Sequence, residues 1–155
     1  MCDYSLMALP NRLALSGEEL VSHKFQTGAM GLISSAEGKL IDEAAKPKGL
    51  MQRIRCLLNP PHMWQCTAVC VPPGARLSVR DISSQLQREI GLQGDVQEVT
   101  FTQTGAGIGF RDAMRFSHGR EVSLQRLSEG QRVRVLSLSS VEESTPTIEA
   151  YLVNQ

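Results

Sequence analysis

Residues 64–80, WQCTAVCVPPGARLSVR, decide how this chain is read. Thr67, Val69, Val71, Leu77 and Val79 are β-branched or aliphatic at alternating positions, and Pro72-Pro73-Gly74 between them is a turn signal, so two strands meeting at a bend are expected. A helix over 60–70 competes with this reading, because Asn59 can cap it, Pro60 suits its first position and Pro72 ends it. The choice governs the cysteines. In a strand His62, Cys66 and Cys70 share one face, but four residues at about 3.3 Å rise set neighbours about 13 Å apart, too far for Cys66 and Cys70 to bridge. In a helix they would stack one turn apart, close enough for two of them to chelate. The strand is preferred, and it makes Cys66 and Cys70 small apolar core residues that are not bonded to each other.

Upstream, 11–25 reads as a hairpin, with Leu13 and Leu15 before the turn Ser16-Gly17-Glu18 and Leu20, Val21 and Phe25 after it. Residues 27–35 read as a further short strand. The pattern then breaks over 36–61, a flexible insertion: AEGKLIDEAAKPKG offers little apolar surface to offset the entropy of ordering. Within it Leu50, Ile54, Leu57 and Leu58 recur at helical spacing among Arg53 and Arg55, as expected of a short basic amphipathic helix covering one end of the domain. Residues 1–10, with Tyr4, Leu6, Met7 and Leu9, form an apolar arm.

Downstream, Asp81 or Ser83 can cap a helix whose apolar stripe is Leu86 and Ile90 and whose stop is Gly91. Strands are expected over 96–103, 113–116, 121–127 and 132–138, joined by SHGR at 117–120 and SEGQ at 128–131. Together 96–138 predict an antiparallel meander, with Val122, Leu124, Val133 and Val135 inside and Ser123, Arg132 and Arg134 outside. The final 148–155 either adds a closing strand or hangs free.

These segments predict a mainly β chain: a small antiparallel β-barrel, or a sandwich, with one or two short peripheral helices. A length of 155 residues suits one domain spanning 1–155. Aromatic residues are 5% of the chain, so aliphatic side chains must build the core. Sixteen basic residues balance sixteen acidic ones, so no overall field favours nucleic acid or an anionic membrane. No apolar run reaches the length of a membrane span and the amino terminus carries no signal-peptide pattern, from which a cytoplasmic protein is expected. In that setting Cys2, Cys56, Cys66 and Cys70 are expected as thiols.

Residues able to do chemistry are sparse. The run TGAGIG at 104–109 has the glycine content of a phosphate cradle, but a strand follows it where a helix is needed, so it reads as a hairpin loop. The only cofactor the residue types suggest is a transition metal, with Cys2, His62, Cys66 and Cys70 as candidate ligands gathered from several strands. His23 and His118 could add to that set, and His23 could also serve as the cation that activates an amino-terminal Cys2. Glu18-Glu19 and Glu142-Glu143 read as hydrated surface charges. The leading expectation is a β-barrel binding or accessory protein for a protein or small-molecule ligand, with homo-oligomerisation possible. The alternatives are a metal- or thiol-dependent enzyme and, ranked last, a nucleic-acid binder presenting Arg111, Arg115, Arg120, Arg126, Arg132 and Arg134 beside Phe110 and Phe116.

Overall fold

The computed structural model describes residues 9–45, 66–105 and 110–138. Along them lie β1 (Asn11–Leu13), β2 (Glu19–Lys24), β3 (Met30–Ser34), α1 (Ser35–Ala45), β4 (Ala68–Cys70), β5 (Arg76–Arg80), α2 (Ser84–Ile90), β6 (Gln97–Gln103), β7 (Asp112–Phe116), β8 (Glu121–Ser123), a 3-10 turn (Leu124–Arg126) and β9 (Arg132–Ser137). Seven of these strands make one antiparallel sheet in the order β3-β2-β9-β5-β6-β7-β8, while β1 and β4 pair in parallel apart from it. Among the described residues no helix is long and apolar enough to cross a membrane.

Alternation builds the core. Leu77 and Val79 on β5, Val99 and Phe101 on β6, Met114 and Phe116 on β7, and Val133 and Val135 on β9 are all buried in one cluster. Arg132 and Arg134, which alternate with the β9 valines, are exposed. The central bend forms as read, with Gly74 at φ 91° turning the chain between β4 and β5. Val69 and Val71 join the main cluster, whereas Cys66 and Ala68 join a second one with Phe25, Ala29 and Ile33. The period of two that puts Cys66 and Ala68 on one face is thus present, but both faces of β4 are buried. The α2 helix also follows its sequence signals: the Ser83 hydroxyl accepts from the Leu86 N–H at 3.3 Å, Leu86 and Ile90 face the core, and Gly91 ends the helix in the left-handed region.

Four expectations are corrected. The 11–25 hairpin does not form, because β1 is drawn into a ladder with β4 that runs on through Ala68 N–H donating to Pro10 O and Ala14 N–H donating to Cys70 O. The chain then turns at Gly17, whose N–H donates to Val135 O, and β2 enters beside β9. The meander over 96–138 ends at β8: Ser123 Oγ accepts from Gln125 N–H and starts the 3-10 turn, and β9 crosses back to lie between β2 and β5. Val122, Leu124, Val133 and Val135 are nevertheless inside.

The third correction is that the sheet does not close into a barrel. Its two end strands, β3 and β8, share no ladder. They are bridged by one side chain instead: Gln125 Nε2 donates to Met30 O at 3.3 Å and Gln125 Oε1 accepts from Met30 N–H at 3.1 Å, the two bonds a neighbouring strand would have made. Fourth, residues 36–45 of the expected flexible insertion are helical and pack on β2 and β3. The remainder of that insertion, with the amphipathic segment at 50–58, lies outside the described residues, as do 1–8 and 139–155.

Glu18 is more than a hydrated surface charge. Its carboxylate accepts from the Arg12 guanidinium and, at 2.9 Å, from the Leu15 N–H, which pins the turn between β1 and β2. The Arg12 hydrogen bond holds its carboxyl below the usual glutamate range, against an opposing effect of burial and with help from the Leu15 N–H. A group with a depressed folded pKa adds stability that is present above its unfolded pKa and is lost as pH falls through the folded value. Glu18→Gln is therefore expected to cost about 1 kcal/mol at pH 7, with the cost vanishing in acid. Urea melts of both proteins at pH 7 and pH 3 check this; an unchanged difference at the two pH values would contradict it.

Candidate functional site

A candidate site lies where β2, α1 and the 128–131 turn meet. On β2 the period of two sends Leu20 into the main core and turns Val21 and His23 toward the other face. In the β2–β3 register Ile33 lies opposite Val21, and Gly31, with no side chain, lies opposite His23. The chain passes from β3 straight into α1, where Ser34 Oγ accepts from Ala36 N–H and the Glu37 carboxylate accepts from Thr67 N–H. Gly38 sets the helix height: a Cβ there would stand 2.6 Å from Val21 Cγ2, so only glycine lets α1 lie this close to β2.

Ser22 ties the third wall in place. Its hydroxyl donates to Ser128 O at 2.5 Å and accepts from Gln131 N–H at 2.9 Å. Its backbone accepts from Gly130 N–H and donates to Gln131 O, while the Gln131 side chain donates to Arg80 O. This lattice carries Glu129 to His23, with His23 Nδ1 3.0 Å from Glu129 Oε1; the same oxygen accepts from the Lys24 N–H. The edge of the imidazole also meets Phe25, at 5.2 Å between centroids and an interplanar angle of 81°.

The pocket so enclosed has a volume of about 250 Å³, with Val21, Ile33 and Ile41 as apolar lining and His23, Lys39, Asp42, Glu129 and Arg132 as charged or polar lining. Arg132 is engaged by Asp81, whose hydrogen bond raises the guanidinium pKa further. Glu129 is engaged by His23. Lys39 and Asp42 have no ion-pair or hydrogen-bond partner among the described residues. The His23–Glu129 pair has the form of an oriented imidazole base, with Nδ1 on a carboxylate. However, no hydroxyl or thiol among the described residues is hydrogen-bonded to it, and the Ser22 hydroxyl is occupied by the turn. Among the described residues the pocket contains no assembled nucleophile.

Of the four metal candidates only Cys66 and Cys70 are among the described residues. Cys2 and His62 lie outside them. Cys66 is a buried thiol outside any disulfide, and burial, with the Glu37 charge adding to it, pushes its pKa up. Cys70 is disulfide-bonded, which corrects the expectation of a thiol. No group of three His, Cys, Asp or Glu side chains able to hold a metal occurs among the described residues. In native protein Cys66 is expected to resist thiol reagents until unfolding, and Cys70 to react only after reduction. Rapid labelling of either would contradict these states.

The glycine-rich run sits in the β6–β7 hairpin connection, closed by Thr104 N–H donating to Arg111 O, and its residues 106–109 lie outside the described set. Four of the six arginines of the nucleic-acid reading are paired with carboxylates. Arg115 pairs with Glu121, Arg126 with Glu89, Arg132 with Asp81 and Arg134 with Glu19. Arg120 donates to Glu89 O and Arg111 to Thr104 O, while Phe116 is buried.

Sequence reasoning singled out His23 but missed Glu129, Lys39 and Asp42 as its company. No local spacing connects them: Glu129 lies in a generic turn, and Lys39 and Asp42 lie in a stretch that reads as a linker. Comparison with protein-family models, with characterised proteins and with solved structures gives no match for this chain.

Proposed function

We propose that this chain is a binding protein that takes a small ligand in the pocket between β2, α1 and the 128–131 turn, with no covalent chemistry of its own. The observation that carries this reading is the composition of the pocket, in which apolar side chains lie beside charged groups that can fix a ligand's orientation. The metal- or thiol-dependent alternative has less support, because Cys66 is buried and Cys70 is in a disulfide. A nucleic-acid role has less support too, since carboxylates already occupy four of the arginines it would use. The Cys70 disulfide fits an oxidising compartment better than the cytosol expected from the sequence.

Amide chemical-shift mapping against a library of small amphiphilic molecules tests the reading. Binders are expected to move the amides of Val21, His23, Gly38, Lys39, Asp42 and Gly130 as one group. Shifts clustering elsewhere on the sheet, or none at these residues from any compound, would rule the pocket out.

A further inference from the structure

The pocket's charges differ in how far they are already satisfied. Arg132 is held by Asp81, and Glu129 by His23 and the Lys24 N–H. What remains is one ammonium and one carboxylate, Lys39 and Asp42, both at the pocket and three residues apart on α1. That spacing puts them on one side of the helix, yet they form no ion pair with each other or with any other described group. Beside them Val21, Ile33 and Ile41 supply aliphatic surface. The volume, about 250 Å³, is below the roughly 300–1,000 Å³ of pockets that enclose drug-sized ligands.

We infer that the pocket selects a small aliphatic zwitterion of the amino-acid type, its carboxylate on Lys39, its ammonium on Asp42 and its side chain against Val21, Ile33 and Ile41. This rests on the small-ligand reading above and narrows it to one chemical class. Complementarity runs through both charges at once: a monoanion would leave Asp42 without a counter-charge, and a monocation would do the same to Lys39. Both groups are exposed, so each contact is a modest one and the ligand is bound loosely and exchanges fast.

The test is an amide chemical-shift titration with four probes on one skeleton: L-leucine, its methyl ester, N-acetyl-leucine and N-acetyl-leucinamide, which carry both charges, the positive one, the negative one and neither. Leucine is expected to bind tightest. Lys39→Gln and Asp42→Asn should each weaken leucine by up to about fivefold, the scale of one exposed ion pair. Lys39→Gln should leave the methyl ester unaffected, and Asp42→Asn should leave N-acetyl-leucine unaffected. Exchanging the two charges, Lys39→Asp with Asp42→Lys, should restore the preference for leucine. Both positions are exposed, and unchanged amide spectra away from α1 would verify that each variant folds. If a singly charged or neutral probe binds as tightly as leucine, or the variants leave leucine affinity unchanged, the zwitterion assignment is overturned while the pocket stands as a binding site. If none of the four moves a pocket amide, the assignment is likewise overturned, and the broader library experiment decides the fate of the binding reading separately.

Discussion

Ile33→Ala is expected to destabilise the protein by about 2–5 kcal/mol, the cost of a large-to-small change at a buried aliphatic site. Leu32→Ala, its neighbour on the same strand, should cost a similar amount. Two such costs at consecutive positions are unusual for a strand at the end of a sheet, where one face is commonly wet. Here both side chains are 1% exposed: Leu32 enters the main core, and Ile33 enters the second cluster beneath α1 with Phe25, Ala29, Cys66 and Ala68. Leu40→Ala, on the exposed side of α1, should fall within about 0.5 kcal/mol of the parent. Guanidinium melts of the three variants read the comparison. A cost at Ile33 no larger than at Leu40 would mean that α1 does not cover β3.

Ser22→Ala is expected to cost about 1–3 kcal/mol although it removes a single oxygen. Ser22 is 1% exposed, and its hydroxyl serves two groups of the 128–131 turn. Without it Ser128 O loses a donor, and Gln131 N–H keeps only a 3.2 Å bond to Ser128 O. Gln131 is buried whereas Ser128 is exposed and its carbonyl can turn to water, so the two lost bonds cost about 1–3 kcal/mol together. The substitution should also loosen Glu129 on His23, because Ser128, next to Glu129, loses its bond while the Ser22 backbone bonds to Gly130 and Gln131 remain. Denaturant melts give the stability change, and the His23 ring resonances give the local one. A stability loss with unmoved His23 resonances would show that the turn is held without Ser22.

What could be read from the sequence was whatever is written locally. The α2 helix carries its cap, its stripe and its stop within nine residues, 83–91, and all three behave accordingly. Likewise β5, β6, β7 and β9 alternate apolar and polar residues and appear where expected, within a residue or two. The parallel pairing of β1 with β4 left no such mark, because three-residue strands have no periodicity of their own and their partners lie far along the chain. The α1 helix was hidden by its composition. Gly38 is an ordinary breaker signal in the sequence, whereas in the fold it is the contact that lets the helix reach Val21. The candidate site was illegible for both reasons together: Lys24 and Glu129 meet across 105 residues, and the helix that completes the pocket did not look like one.

The pocket exists only if α1 lies on β2 in solution. The most direct measurement is the nuclear Overhauser contact between the Gly38 Hα protons and the Val21 methyls, read together with amide exchange over residues 36–45. A strong contact is expected, with the α1 amides protected relative to an unstructured chain. An absent contact, with those amides exchanging at random-coil rates, would contradict the helix, the pocket and the binding role built on them.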